Sequence, residues 1–114
     1  MSLEKRYTHE TLVVKVTGEL DLVTAEEFRR MVDLELERRQ VRHLVLNLAG
    51  VSFIDSSGLG AILGRYKKLK SNGGNIVIAA ARPPVFKILQ LSGFPKIMSF
   101  CESEKDALEV AREA

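Results

Sequence analysis

Apolar and polar positions alternate through "LVVKVTG" (12–18), with Leu12, Val14 and Val16 on one face, and this predicts a strand ended by Gly18. The preceding "LEKRYTH" (3–9) is expected to pair with it through a turn near His9 and Glu10. The period then changes. In "AEEFRRMVDLELERR" (25–39), Phe28, Met31, Val32 and Leu36 recur at helical spacing, and Thr24 with Glu27 three residues later reads as a capping box at the start of a helix of about four turns. "RHLVLNL" (42–48) returns to alternation, with apolar Val45 on the second face marking an interior strand. Leu59, Ile62, Leu63, Tyr66 and Leu69 form the next helical stripe, which Lys67, Lys68 and Lys70 close before "SNGG" stops it.

"NIVIAAA" (75–81) predicts a buried strand, "PPVFKILQLSG" (83–93) a short helix with proline in its first turn, and "KIMSF" (96–100) a last strand. Ser103 then caps "EKDALEVAREA", whose Ala107, Leu108 and Ala111 turn inward. The order strand, strand, helix, strand, helix, strand, helix, strand, helix implies an α/β layered fold with a mixed, largely parallel sheet of four to five strands and four helices. If the strands at 12–17, 42–48 and 75–81 run parallel, the loops leaving their carboxyl ends bring Asp21, Ser56 and Arg82 into one neighbourhood, where open α/β sheets place their sites.

A chain of 114 residues fits a single domain, 1–114, with one core. The excess of 17 Lys and Arg over 15 Asp and Glu is too small to point to nucleic acid. One cysteine, Cys101, excludes an internal disulfide and a cysteine zinc site, and fits a small buried side chain in a reducing compartment, with cytoplasm the expected location. No apolar run approaches the roughly 20 residues of a membrane helix, so no membrane partner is expected. The cluster "ERRQVR" (37–42) reads as a solvated face with cations suited to a helix end, and Phe28, Met31 and Phe86 as core.

The chemistry concentrates in "VSFIDSSGLGAILGRYKKLK" (51–70). Asp55, Ser56 and Ser57 all stand where a helix amino terminus leaves backbone N–H groups unpaired, so any of them can cap it. Gly58, Gly60 and Gly64 are each candidates for close approach of the helix to the sheet, and Gly60 and Gly64 are the ones expected to make it. A nucleophilic serine needs a base, but His9 lies in a turn, and His43 begins the strand that ends near Ser56, about 15–20 Å away at ~3.3 Å per residue. G-x-S-x-G is absent because Ile54 stands two before Ser56, and Gly58, Gly60 and Gly64 match neither the dinucleotide nor the Walker spacing. The chain is therefore expected to be no enzyme, with no catalytic residue, metal or cofactor of its own. A regulated serine fits better: a phosphoryl group on Ser56 adds roughly −1.5 to −2 charges beside the positive end of a helix.

"GELD" (18–21), the 42–70 stretch, "GGNIVIA" (73–79), "LSG" (91–93) and "SEKDALEVA" (103–111) together resemble the anti-sigma factor antagonists of the STAS domain family. The resemblance implies a protein switch. The unmodified antagonist binds an anti-sigma factor that is also an ATP-dependent serine kinase and so frees the sigma factor; phosphorylation ends binding, and a serine phosphatase resets it. By position it makes Ser56 the phosphorylated residue and puts Asp21, Asp55, Ser56, Ser57, Gly58 and Leu59 at the partner surface. Leu22 and Ile54 flank that surface as possible anchors, though they and Leu59 suit the core as well. "GRYKKLK" leans toward the sporulation branch, sigma-F, with general-stress control or a nucleotide-binding STAS module as alternatives.

Overall fold

Strict alternation is what builds the centre of the sheet. In the computed structural model, which describes residues 1–113, β2 (Thr11–Leu20) buries Leu12, Val14, Val16 and Leu20 on one face and Val13 on the other. β1 (Ser2–Thr8) folds back against it in antiparallel register from Ser2↔Thr17 to Thr8↔Thr11, so the hairpin turn is His9–Glu10. β3 (His43–Ile54), β4 (Asn75–Ala79) and β5 (Ser99–Cys101) then add in parallel, in the order β1-β2-β3-β4-β5. The connections are α1 (Leu22–Arg38), α2 (Ser56–Ser71) and α3 (Pro83–Leu91), and α4 (Glu104–Glu113) closes the described chain.

The two faces of the sheet are covered unequally. Phe28 and Val32 of α1, Ile62 and Leu69 of α2, and Val85 and Leu89 of α3 pack with Leu12, Val14, Leu44, Leu46, Ile76 and Ile78 in one large core. On the other face α4 buries Ala107 and Ala111 against Val13, Val45, Val77 and Ala79, with Leu108 and Val110 partly buried beside them. Val45 is fully buried there, as its place on the second face of an interior strand requires. Each large apolar side chain so buried contributes ~1.5–3 kcal/mol, which makes the three-helix side the main source of stability. Met31 packs at the margin of the large core, and Phe86 meets Phe100 edge to face at 5.5 Å.

Element ends depart from the sequence pattern in specific ways. α1 begins at Leu22, three residues before the expected start, because Asp21 rather than Thr24 is its cap. β2 continues past Gly18, whose φ of 106° is accommodated at a register shift, and β3 runs on to Ile54. β4 stops at Ala79 because Ala80 turns into the left-handed region at φ 59° and donates its N–H to the Cys101 carbonyl. The strand expected at 96–100 is shortened to Ser99–Cys101, since Gly93 and Pro95 start a 3₁₀ turn over Phe94–Lys96. Cys101 is half-buried against the smaller core and not fully enclosed.

Among the described residues four polar side chains are buried, Thr11, Glu35, His43 and Arg65, and Glu35 and His43 bear on how the layers join. Glu35, only 3% exposed on α1, accepts from Lys5 and Tyr7 and so ties the edge strand to the helix layer. These donors hold its carboxyl below the usual range, while burial pushes the Tyr7 phenol up to about 12. The "ERRQVR" segment is less uniformly solvated than expected, since the Arg39 guanidinium lies 4.1 Å from the centre of the Tyr7 ring. His43 is buried at the amino end of β3, its Nδ1 has no partner among the described residues, and burial, then the Arg42 charge, pulls its imidazole below the usual pKa.

The expected close approach of Gly60 and Gly64 is not found: a Cβ at either would meet nothing within 4 Å. Both then only weaken α2, so Gly60→Ala and Gly64→Ala should each stabilise the protein by ~0.5–1 kcal/mol in urea unfolding. For His43 the folded state favours the neutral ring, so the unfolded chain takes up the proton more readily and stability falls as pH drops through the unfolded value of about 6.5. Urea midpoints measured between about pH 7.5 and 5.5 should therefore decline, and His43→Gln should flatten that decline.

Candidate functional site

The site is built by the last rung of one strand pair. Leu20 of β2 sits opposite Ile54 of β3, and the next residue of each strand, Asp21 and Asp55, caps a helix. The Asp55 N–H donates to the Leu20 carbonyl at 3.2 Å, which fixes the two caps side by side. Asp21 Oδ1 accepts from the backbone of Val23 and Thr24, both at 3.1 Å, while the Asp21 N–H donates to the Thr24 hydroxyl at 2.8 Å. The Thr24 N–H, and the Thr24 hydroxyl that donates to Asp21 Oδ1 at 3.0 Å, hold the Asp21 carboxyl below its ordinary pKa, so it stays charged.

Asp55 does the same for α2. Its Oδ1 accepts from Ser57 N–H at 2.8 Å and Gly58 N–H at 3.1 Å, and its carbonyl accepts from Leu59 N–H at 2.9 Å. Capping is thereby taken by the aspartate, and neither serine is needed for it. Ser56, first residue of α2, is exposed, and among the described residues its hydroxyl has no protein hydrogen bond; Ser57 is half-buried.

Gly58 carries the close approach. A Cβ there would lie 2.5 Å from the Leu20 carbonyl oxygen and 2.8 Å from Ile54 Cγ1, so only glycine lets α2 start directly over the β2–β3 rung. The flanking apolar residues divide. Ile54 is core at 1% exposure, Leu59 is half-buried against the core, and Leu22 stands 74% exposed in the first turn of α1. Val23, 78% exposed, and Phe53, 44% exposed, join that open apolar set, and the sequence reading missed both. Taking Asp21 as the cap would have found Val23, because it sets the helix start that turns residues 22 and 23 outward. Phe53 follows two register shifts that alternation cannot foresee.

Arg82 does reach this edge of the sheet, as the residue before α3, but its Nε donates to the Ala49 carbonyl at 2.7 Å and braces β3. His43 lies at the far end of a 12-residue strand, on the order of 30 Å from Ser56 at ~3.3 Å per residue and beyond the expected 15–20 Å. No group of three or more His, Cys, Asp or Glu among the described residues is placed to hold a metal. No helix among them is long and apolar enough to cross a membrane.

What the arrangement offers is a free hydroxyl on a rigid corner, flanked by two carboxylates and open apolar side chains. The family model of the STAS domain matches residues 2–107. The chain belongs to the STAS domain family. Within it, this STAS domain is 41% identical over 108 residues to the anti-sigma F factor antagonist of Paenibacillus polymyxa, covering 95% of this chain and 92% of that one. It is 32% identical to the anti-sigma-B factor antagonist of Staphylococcus epidermidis over 85 residues, 75% of this chain and 78% of that one. Among solved structures it superposes on the anti-sigma factor antagonist SpoIIAA in its unphosphorylated form with TM-score 0.87 and 30% identity, over 99% of this chain and 98% of that one. The phosphorylated form of Bacillus SpoIIAA gives TM-score 0.77 and 29% identity, over 95% and 97%.

Because the Gly58 Cβ position is filled by backbone and core, Gly58→Ala should destabilise the STAS domain by ~1–3 kcal/mol in chemical denaturation. The same substitution at Gly60, one helical residue pair away in open space, should not.

Proposed function

We propose that this STAS domain is an anti-sigma factor antagonist switched by phosphorylation of Ser56. The observation that carries the reading is the free Ser56 hydroxyl at the start of α2, in a chain similar to a SpoIIAA solved in both unphosphorylated and phosphorylated forms. The unmodified chain binds an anti-sigma factor that is also an ATP-dependent serine kinase, and so releases the sigma factor. Asp21, Asp55, Ser56, Ser57, Gly58 and Leu59 form the docking surface, and a serine phosphatase restores it.

The kinase supplies ATP and the catalytic groups, so the antagonist contributes only a hydroxyl in a fixed position. Phosphorylation then adds roughly −1.5 to −2 charges beside the Asp55 and Asp21 carboxylates. The α2 terminus stabilises such an anion by about 0.3–2 kcal/mol, so the scaffold tolerates what the interface does not. A partner shaped for a neutral hydroxyl must bury or repel the new charge, and ~2.8 kcal/mol of penalty weakens binding about 100-fold. The higher identity to an anti-sigma F than to an anti-sigma-B antagonist supports the sporulation branch, and pull-down against both kinds of anti-sigma kinase separates it from general-stress control.

Incubation with such a kinase and ATP should add one phosphoryl group, mapped by mass spectrometry to Ser56 and lost in Ser56→Ala. Nucleotide-dependent complex formation should weaken by about 100-fold in Ser56→Asp. Label on Ser57, or full binding by the aspartate variant, would contradict the assignment.

A further inference from the structure

The edge strand β1 is independent of the Ser56 site and has a pairing pattern of its own. A two-residue loop closes on a strand pair that exchanges both backbone hydrogen bonds, so Thr8↔Thr11 is such a pair. Alternation then makes Arg6↔Val13, Glu4↔Lys15 and Ser2↔Thr17 the other bonded pairs. The N–H and C=O groups of Leu3, Lys5 and Tyr7 therefore point away from β2, along the outer edge of the sheet. β1 holds this register through all 7 residues without the shifts that interrupt the β2–β3 pairing, and it contains no proline. An edge with no bulge and no proline can accept another strand, and its charged residues Glu4, Lys5 and Arg6 then decide which strand fits.

We propose that β1 pairs with β1 of a second copy of this chain, antiparallel about a two-fold axis at Lys5. The charges select both the occupant and the register. Only residues 3, 5 and 7 can bond outward, so the antiparallel registers that retain substantial overlap align Leu3 with Lys5, Lys5 with itself, or Lys5 with Tyr7. The first sets Glu4 against Glu4 and the last Arg6 against Arg6, and like charges directly opposite destabilise a sheet. The middle one places Glu4 opposite Arg6 of the second copy, twice, at the closer non-hydrogen-bonded positions. Leu3 then faces Tyr7 of the second copy, and the three outward pairs supply about six backbone hydrogen bonds.

The remaining conflict is Lys5 against its own copy at the axis. A free lysine there would guard the edge, but this ammonium is paired with the buried Glu35 carboxylate of α1. Beyond the strand, the Arg6 guanidinium lies 2.7 Å from Glu104, and Lys15 stands across from Glu4. Charge therefore alternates across the joint, from Lys15 and Glu4 to Arg6 and Glu104 of the second copy. Pairing uses the lateral edge of β1, whereas Ser56 lies past the carboxyl end of β3, so the dimer carries two separate switch sites.

Sedimentation velocity over a concentration series up to near-millimolar tests this on the full chain. The native chain should move from 12.7 kDa toward twice that mass. Glu4→Arg and Arg6→Glu should each raise the dissociation constant at least about tenfold. Mixed in equal amounts, the two variants should form a heterodimer, because every 4-to-6 pair is again of opposite sign; circular dichroism confirms that each is folded. A native chain that stays monomeric throughout, single variants that dimerise undiminished, or a mixture that fails to associate would overturn the proposal.

Discussion

The Leu20↔Ile54 rung, and the backbone bond from Asp55 to Leu20 just beyond it, is the constraint on which the site depends. Two parallel strands that end in register deliver their next residues to the same place, and here both are aspartates. Each satisfies the amino terminus of its own helix, so the positive ends of α1 and α2 are presented side by side. Gly58 completes the joint by letting α2 begin in contact with the Leu20 backbone. Ser56 is thus held by its neighbours while its own side chain is committed to nothing within the described protein.

That division of labour leaves the capping of α2 to Asp55 and not to either serine. If a serine were the cap, a phosphoryl group would take away the helix's own partner and modification would loosen α2. With Asp55 as the cap, the Ser56 hydroxyl can change without removing a structural hydrogen bond. On the proposed function this separates scaffold from signal: the fold supplies position, and the charge state of one side chain alters what a partner can approach. The open Leu22, Val23 and Phe53 side chains lie on elements that the same rung fixes.

Much of the architecture was legible because it rests on period. Alternation marked β2 and β3, a continuous apolar run marked β4, helical spacing marked α1 and α2, and the Ser103 cap of α4 is formed as expected, with its hydroxyl accepting from Asp106 N–H at 3.1 Å. The failures fall where one residue has two local readings. Thr24 and Glu27 match a capping box, yet Asp21 wins because the end of β2 places it at the first free N–H groups of α1. Glycines were the least legible: Gly58, Gly60 and Gly64 share a sequence context, and only the tertiary contact with Leu20 and Ile54 tells the obligatory one from the other two. Glu35 was missed because a carboxylate on a helix stripe reads as solvent-facing until β1 brings Lys5 and Tyr7 to it.

The central claim is that this corner takes a dianion without remodelling what supports it. Backbone amide chemical shifts and hydrogen exchange, compared between the unmodified and the Ser56-phosphorylated chain, test it most directly. The account predicts changes confined to the ends of β2 and β3 and the first turns of α1 and α2, with exchange in the rest of the sheet and in α4 unaltered. Loss of protection spreading through β3 and β4, or along the whole of α2, would contradict it.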